Sequence, residues 1–173
     1  MPATAIREGH ADEGEVLREI ERQAGRRFHE VGRPDVADAK PLSCEALAAY
    51  AQEGRSWVAV DGRDVPLGYV LVDLVDGQSH LEQLSVRPDR QGIGLGRALV
   101  AHVCAWTRQR GMTAVTLTTF AHVPWNQPLY EHLGFVVLDR RSIGPGLDAI
   151  VLEEARHGLD PARRVCMRLD LRG

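Results

Sequence analysis

The sequence of 173 residues predicts an α/β protein with a mixed, mostly antiparallel central sheet of about six to seven strands and helices on both faces. Strand-like blocks outnumber helical blocks along the chain, and one pair of strands forms a hairpin beside strand–helix–strand units. No repeat or low-complexity segment interrupts this order. Residues 1–173 are therefore expected to form a single domain with room for a substantial core.

The strands of the first half are indicated by runs of β-branched and aromatic residues, at 3–8, 57–60, 67–75 and 80–86. The turn residues DGRD join the second and third of these strands into the hairpin. Capping residues mark two helices. Asp12 is expected to cap a helix that runs through Ile20, and Ser43 to cap a helix that stops at Gly54.

The second half begins with the most regular helix of the chain. Apolar residues recur at helical spacing from about Leu95 to Arg110, and Gly111 follows as a stop signal. Shorter helices are predicted at 127–134 and 147–158, and strands at 114–120, 135–140 and 163–171. These blocks complete the predicted sheet and its helices.

Composition and charge exclude several classes of protein. A formal charge of -3, with acids and bases interleaved, offers no basic face for nucleic acid and no polybasic membrane patch. The N-terminal residues lack the pattern of a signal peptide, and no apolar run approaches a membrane span, so a cytoplasmic protein is expected. Cys44, Cys104 and Cys166 are widely separated and lack CxxC spacing, which favours free thiols over disulfides or a metal site.

The stretch RPDRQGIGLGR at 87–97 places three glycines between a strand and a helix. The first N–H groups of a helix lack internal partners and lie at the positive end of its dipole, so phosphate is the natural ligand. A dinucleotide fingerprint would need small residues where Arg97 or Leu99 stands, and a Walker A loop would need Lys followed by Ser or Thr. A dehydrogenase-type nucleotide module is therefore the weakest of the alternatives.

The pattern Gln91-x-x-Gly94-x-Gly96 remains, preceded by PLGYV and LEQLSVRP and followed one strand and one loop later by LYEHLGF. It resembles the acetyl-CoA signature of the GNAT superfamily of N-acetyltransferases. The resemblance covers about residues 55–138 well and the N-terminal helices loosely. It implies the acyl-CoA N-acyltransferase fold, with acetyl-CoA as co-substrate, in one N-acetyltransferase domain.

The resemblance also implies which residues bind acetyl-CoA. In the family, the loop amides hold the pyrophosphate and the preceding strand pairs its main chain with the pantetheine arm. Carried over to this chain, these are Leu84, Ser85, Val86, Gln91, Gly92, Ile93, Gly94, Leu95, Gly96 and Arg97. The family often has an asparagine seven residues before its leaving-group tyrosine. Here that position is Val123, and Asn126 is a weaker candidate contact that could instead cap a helix.

Acetyl transfer to an amine needs a base, because an alkylammonium with a pKa near about 10.4 must lose a proton before it attacks a thioester. Glu82 stands where several family members carry a glutamate in this role. His80 lies on the same face by strand alternation and is a rival base or a neighbour of the base. The departing thiolate needs a proton, and Tyr130 in LYEHLGF matches the family's usual leaving-group tyrosine.

The predicted function is transfer of the acetyl group of acetyl-CoA to a primary amine of a small molecule or peptide, by direct attack in a ternary complex. The alternative is a non-catalytic acetyl-CoA-binding protein of the same fold. Two further features are left open. The segment 144–160 is a candidate contact for a homodimer, and a basic cluster could bind an acidic acceptor or could simply be a solvated helix face; its members are Arg22, Arg26, Arg27 and His29.

Overall fold

The computed structural model describes residues 4–172, so Ala3, which the first predicted strand includes, lies outside the described residues. The strands, numbered in chain order, are β1 Ala5–Glu8, β2 Ser56–Val60, β3 Pro66–Val75, β4 Gln78–Val86, β5 Ala114–Phe120, β6 Val136–Val137 and β7 Arg164–Asp170. The helices are α1 Gly14–Gly25, α2 Pro34–Ala37, α3 Cys44–Gln52, α4 Leu95–Gln109, α5 Gln127–His132 and α6 Pro145–Arg156. Only the short α2 was not anticipated from the sequence.

The seven strands form one sheet in the order β1-β2-β3-β4-β5-β7-β6. The pairs β1–β2, β2–β3, β5–β7 and β6–β7 are antiparallel, whereas β4 and β5 run parallel, with Ser79 opposite Val115. The predicted class, a mixed and mostly antiparallel sheet of six to seven strands with helices, is confirmed.

Contacts divide the chain into two compact units. The first unit contains the chain up to Val72 together with Glu82–Val103, and the second contains Asp73–Leu81 together with the chain from Cys104 onward. The boundaries fall inside β3, β4 and α4.

The core of the first unit is built by α1, α3 and the inner strands. One cluster of buried side chains in this core comprises Leu17, Ile20, Leu47, Val58, Val60, Tyr69 and Leu71, with Leu42 and Tyr50 packed against them. The hydroxyl of Tyr69 donates a 2.7 Å hydrogen bond to the carboxylate of Glu21. This bond satisfies a polar atom that would otherwise be buried at a cost, and it fixes α1 to β3.

The two predicted helix caps of this unit have different outcomes. Ser43 is the N-cap of α3, because its hydroxyl accepts a hydrogen bond from the Ala46 N–H at 3.1 Å. Asp12 does not cap α1, whose N-cap position is Glu13. The carboxylate of Glu13 accepts from the guanidinium of Arg7 at 2.6 Å and from the N–H of His10 at 2.8 Å. The Glu13 carboxylate is therefore engaged by residues just before the helix and makes no capping hydrogen bond to α1 itself.

In the second unit, the predicted strand at 135–140 is reduced to β6, Val136–Val137. The reason lies immediately after it. Asp139 accepts a hydrogen bond from the Arg141 N–H at 2.9 Å and so caps a short 3-10 turn, which bends the chain away from the sheet. Phe135, just before the strand, is buried in the core of this unit.

Helix α6 begins on a side chain from the turn between β3 and β4. The carboxylate of Asp76 accepts hydrogen bonds from the N–H groups of Gly146 and Leu147, at 2.7 and 3.0 Å. A Cβ at Gly146 would lie 2.7 Å from the same carboxylate, so glycine is required for this approach. Asp76 thereby acts as a distant cap and fixes the segment that leads to β7.

The cysteines of the described chain are free, as predicted, with Cys104 and Cys166 buried and Cys44 half-buried. Burial raises the pKa of the Cys104 thiol and raises that of Cys166 to about 11. A hydrogen bond from Cys44 Sγ to the Glu15 carboxylate, at 3.0 Å, raises the pKa of Cys44. All the helices among residues 4–172 are too short or too polar to span a bilayer.

His80 is a core residue of the second unit. Its side chain is 1% exposed, and Nδ1 lies 2.9 Å from the hydroxyl of Thr116. Burial lowers the pKa of His80 to about 4, against the partial opposition of the Asp73 and Glu154 charges. The imidazole is therefore neutral at neutral pH.

This burial predicts acid sensitivity. An unfolded histidine titrates near 6.5 and folded His80 near 4, so between these values the unfolded state binds a proton that the folded state excludes. Stability is full above pH 6.5 and falls as the pH decreases towards 4. Lowering the pH from 7.5 to 5 should reduce the free energy of unfolding of both proteins, and the reduction should be about 2 kcal/mol smaller in His80→Gln than in the wild type. Urea titration at the two pH values measures this difference.

The control for this experiment is His132→Gln, at an exposed histidine of the same unit. It should show the same loss of stability on acidification as the wild type. Equal pH dependence in the His80 variant and the wild type would contradict the assignment of the acid-sensitive group to His80.

Candidate active site

The glycine loop, residues 91–97, connects β4 to α4 in the first unit. Gly92 and Gly94 have positive φ values, +77° and +90°, in the region that L side chains rarely adopt. A Cβ added at either residue would have no neighbouring atom within 4 Å. The loop therefore needs glycine for its backbone conformation, and the space beside it is open.

The start of α4 presents backbone donors at this loop. The N–H of Ala98 donates to the carbonyl of Gly94 at 2.9 Å, which is the first hydrogen bond of the helix. The N–H groups of Leu95, Gly96 and Arg97 precede this bond and have no acceptor within the helix. Such donors at the positive end of a helix dipole can bind the oxygens of a pyrophosphate, so the loop fits the phosphate group of acetyl-CoA.

Gln91 fixes the loop at its first residue. Its Nε2 donates to the carbonyl of Val86 at 3.1 Å, and its Oε1 accepts from Arg27 Nη1 at 3.2 Å. The side chain thus connects the loop to the end of β4 and to the 3-10 segment after α1. The partnership with Arg27, 64 residues away, carries no signal in the sequence.

The end of β4 carries the residues expected to lie along the pantetheine arm. Ser85 is buried, whereas Leu84 and Val86 are half-buried. The Ser85 hydroxyl accepts a hydrogen bond from Gln83 Nε2 at 2.8 Å, and a Cβ at Gly68 would lie 2.8 Å from the Ser85 carbonyl oxygen. This part of β4 is therefore packed tightly against β3.

The two candidate bases differ in environment. Glu82 is exposed on β4 in the first unit, where a carboxylate can meet an incoming amine. His80 is buried in the second unit and bonded to Thr116. Exposure favours Glu82 over His80 as the group that receives a proton from a substrate.

Tyr130 lies on α5 in the second unit and is half-buried. Its ring packs edge-on against Phe135, with centroids 5.7 Å apart and planes at 71°. Burial raises the pKa of Tyr130 to about 12, with the positive charge of Arg164 acting in the opposite direction. The phenol therefore keeps its proton at neutral pH, as a general acid must.

A charged cluster that the sequence did not reveal lies in the same unit. Arg164 donates through Nε and Nη2 to the carboxylate of Glu154, at 3.0 and 2.8 Å, and Thr118 donates to that carboxylate at 2.5 Å. The guanidinium also lies 4.4 Å from the centroid of the Phe120 ring. The residues of this charged cluster come from β5, α6 and β7, so no local sequence pattern could connect them.

Asn126 occupies the N-cap position of α5, but its side chain makes no capping hydrogen bond. The alternative interpretation of Asn126 as a side-chain cap is therefore wrong. Val123, at the position where the family often has asparagine, is buried. A contact between Asn126 and acetyl-CoA remains a prediction.

Comparisons with known proteins identify relatives of this chain. The Acetyltransferase (GNAT) family model matches residues 16–135. Peptidyl-lysine N-acetyltransferase YjaB of Escherichia coli is 33% identical over 101 residues, which span 57% of this chain and 61% of that protein. The protein of the same name from Salmonella typhimurium is 29% identical over 141 residues, 80% of this chain and 87% of that one.

A solved structure extends the comparison to the fold. The PaiA N-acetyltransferase of Thermoplasma acidophilum, in complex with coenzyme A, aligns over 97% of this chain and 99% of its own length. The TM-score is 0.70 at 14% sequence identity, so this likeness concerns the fold alone.

The family match covers more than half of the chain and includes the glycine loop, Glu82 and Tyr130. It confirms the resemblance stated from the loop motif, and with it the expected class of enzyme, an N-acetyltransferase with acetyl-CoA as co-substrate. It disfavours a dehydrogenase-type nucleotide module. The chain belongs to the GNAT family of acetyltransferases.

Proposed function

We propose that this protein transfers the acetyl group of acetyl-CoA to the ε-amine of a lysine in a polypeptide, by direct attack in a ternary complex. The observation that carries the proposal is the glycine loop, where two glycines at positive φ open α4 and leave its first N–H groups available as donors. Acetyl-CoA supplies the activated acyl group as a thioester. The remaining steps belong to side chains of this chain.

The first residues of α4 and the end of β4 hold the co-substrate in this proposal. Gly94, Gly96 and Arg97 donate backbone N–H groups to phosphate oxygens, and Leu84 to Val86 offer their main chain to the pantetheine arm. Gln91 keeps the loop in position through its bond to the Val86 carbonyl.

Glu82 accepts the proton that the lysine ammonium must lose, directly or through water, because only the neutral amine is a nucleophile. Its exposure supports this role. Tyr130 donates a proton to the departing sulfur in this proposal, because its phenol carries a proton at neutral pH.

The class of acceptor is supported by the relatives. Two relatives are named peptidyl-lysine N-acetyltransferase, and the one from Salmonella typhimurium aligns with 80% of this chain. The direct test uses a peptide with a blocked N-terminus and one lysine, incubated with acetyl-CoA and the protein. A mass gain of one acetyl group at the lysine supports the proposal, and no gain at any peptide lysine contradicts it.

The first prediction from this proposal concerns the glycine loop. Gly94→Val should reduce acetyl-CoA affinity at least about 100-fold, because a β-branched residue is strained at a φ of +90° and the loop would lose its shape. Isothermal calorimetry gives the dissociation constant. Gly54→Val is the matched control, since Gly54 also has positive φ and open space but ends α3. Equal affinity in both variants and the wild type would contradict the phosphate cradle.

The second prediction concerns the base. Glu82→Gln should lower kcat by roughly 100-fold at neutral pH, with a smaller loss at high pH, where more of the lysine is already neutral. The control is Glu8→Gln, at an exposed glutamate on β1. His80→Gln should have a smaller effect than Glu82→Gln. The reverse order of effects would move the base to His80.

The third prediction concerns the acid. Tyr130→Phe keeps the ring and its contact with Phe135, so acetyl-CoA affinity should change little, whereas single-turnover acetyl transfer should slow by roughly 100-fold. Tyr50→Phe, on α3, is the control for loss of a hydroxyl. A single-turnover rate within about twofold of wild type would leave Tyr130 as a packing residue only.

A further inference from the structure

Two members of the basic cluster described from the sequence, Arg22 and Arg26, line a groove in the first unit. Arg18, Arg22 and Arg26 follow one another at intervals of four residues along α1 and into the 3-10 segment that continues it. This spacing places the three guanidinium groups on one stripe of the helix. The stripe faces the segment 37–41, and together they enclose a cavity of about 520 Å³.

The charge of this groove is strongly unbalanced. Arg18, Arg22, Arg26 and Lys40 line it with four cationic side chains, and Asp38 supplies the single carboxylate among its lining residues. That carboxylate lies 3.0 Å from Nε2 of His29, so it is already bound on another side. A lining of this kind attracts anions.

The internal partners of these cations are weak or missing. Arg22 pairs with Glu19 at 3.3 Å as an exposed helix pair, which contributes little to stability. Arg26 and Lys40 have no carboxylate within 4.0 Å among residues 4–172. Arg18 pairs with Glu15 at 3.2 Å, yet its Nε is buried and lacks a hydrogen-bond partner within the same described range. The positive charge of the groove is therefore only partly balanced by carboxylates of the described residues.

The groove continues towards the glycine loop. Arg26 also lines a second cavity of about 470 Å³, whose lining includes Arg27 and Gln91. Arg27 is hydrogen-bonded to Gln91, the first residue of the loop. The groove and this second cavity meet at Arg26, and the second cavity reaches the first residue of the loop where the proposed function places acetyl-CoA.

The spacing of the cations indicates the kind of anion. Four residues of helix rise about 6 Å, so the stripe from Arg18 to Arg26 is about 12 Å long. Alternate side chains of an extended peptide are also about 6 to 7 Å apart. Acidic residues at every second position of a peptide would thus meet successive arginines. The groove shares no lining residue with the glycine loop, which separates it from the phosphates of the co-substrate.

We propose that this groove binds acidic side chains of the acceptor polypeptide, so that the enzyme selects lysines flanked by alternating aspartate or glutamate residues. The biological role given to the groove, selection of lysines in the acceptor, rests on the proposed lysine acetylation. Its physical content, binding of an acidic peptide by Arg22, Arg26 and Lys40, is measured separately from acetyl transfer.

The binding experiment uses two fluorescently labelled peptides that each contain one lysine, flanked on one side by Glu-Ser-Glu-Ser-Glu or by Gln-Ser-Gln-Ser-Gln. Fluorescence anisotropy with the full chain and coenzyme A should give a dissociation constant at least about tenfold lower for the glutamate peptide at low salt. This preference should shrink as salt is added. Equal affinities for the two peptides at low salt would overturn the proposal.

The variants test which residues are responsible. The double variant Arg22→Glu with Lys40→Glu should remove or reverse the preference for the glutamate peptide, and Arg22→Gln with Lys40→Gln should remove most of it. The double variant Arg63→Glu with Arg140→Glu changes the charge equally at two exposed residues outside the groove, and it should keep the preference. Circular dichroism melts check that each variant is folded. A preference retained in both double variants would overturn the assignment to this groove.

Two further readouts separate the possible failures. Calorimetry with coenzyme A should give similar dissociation constants for the wild type and the double variants. A large loss of coenzyme A affinity, with the peptide preference intact, would assign the groove to the phosphates of the co-substrate and overturn the proposal. Acetylation of both peptides at equal kcat/KM would support the proposed function while contradicting the groove. Selective binding of the glutamate peptide without acetylation of either peptide would support the groove and contradict the proposed function.

Discussion

The close packing of β3 against β4 at Gly68 is the constraint on which the glycine loop of the first unit depends. A side chain at this position would place its Cβ 2.8 Å from the Ser85 carbonyl oxygen and 3.2 Å from Val86 Cα. Only glycine allows the two strands to approach this far. The end of β4 is thereby fixed, and Gln91, bonded to the Val86 carbonyl, carries that fixed position into the glycine loop and the start of α4.

Burial shifts the pKa values of two groups in the second unit in opposite directions. A low-dielectric environment disfavours whichever form of a group is charged. It raises the pKa of Tyr130, so the phenol retains a proton, and it lowers the pKa of His80, so the imidazole remains neutral. The Tyr130 phenol is thereby a weaker acid than a free phenol and stays protonated, and His80 is a core residue whose Nδ1 lies 2.9 Å from the Thr116 hydroxyl.

Features that depend on residues close together in the sequence could be predicted from it. Strands, long helices and the Ser43 cap follow from neighbouring residues, and so does the glycine loop, whose pattern occupies only a few positions. Features that depend on distant partners could not be foreseen. The first N–H groups of α6 bond to Asp76, 70 residues earlier, and Gln91 of the loop bonds to Arg27, 64 residues earlier. The basic residues of α1 were visible in the sequence, but the segment 37–41 that makes them a groove was not.

The state of the cysteines has a consequence for an enzyme that handles a thioester. Thioesters exchange their acyl groups with thiolates rather than with protonated thiols. Burial at Cys104 and Cys166, and the Glu15 carboxylate beside Cys44, each raise a thiol pKa and so reduce the thiolate fraction at neutral pH. Acetyl-CoA therefore meets few reactive sulfur atoms on this chain. The raised pKa values therefore disfavour acylation of Cys44, Cys104 and Cys166.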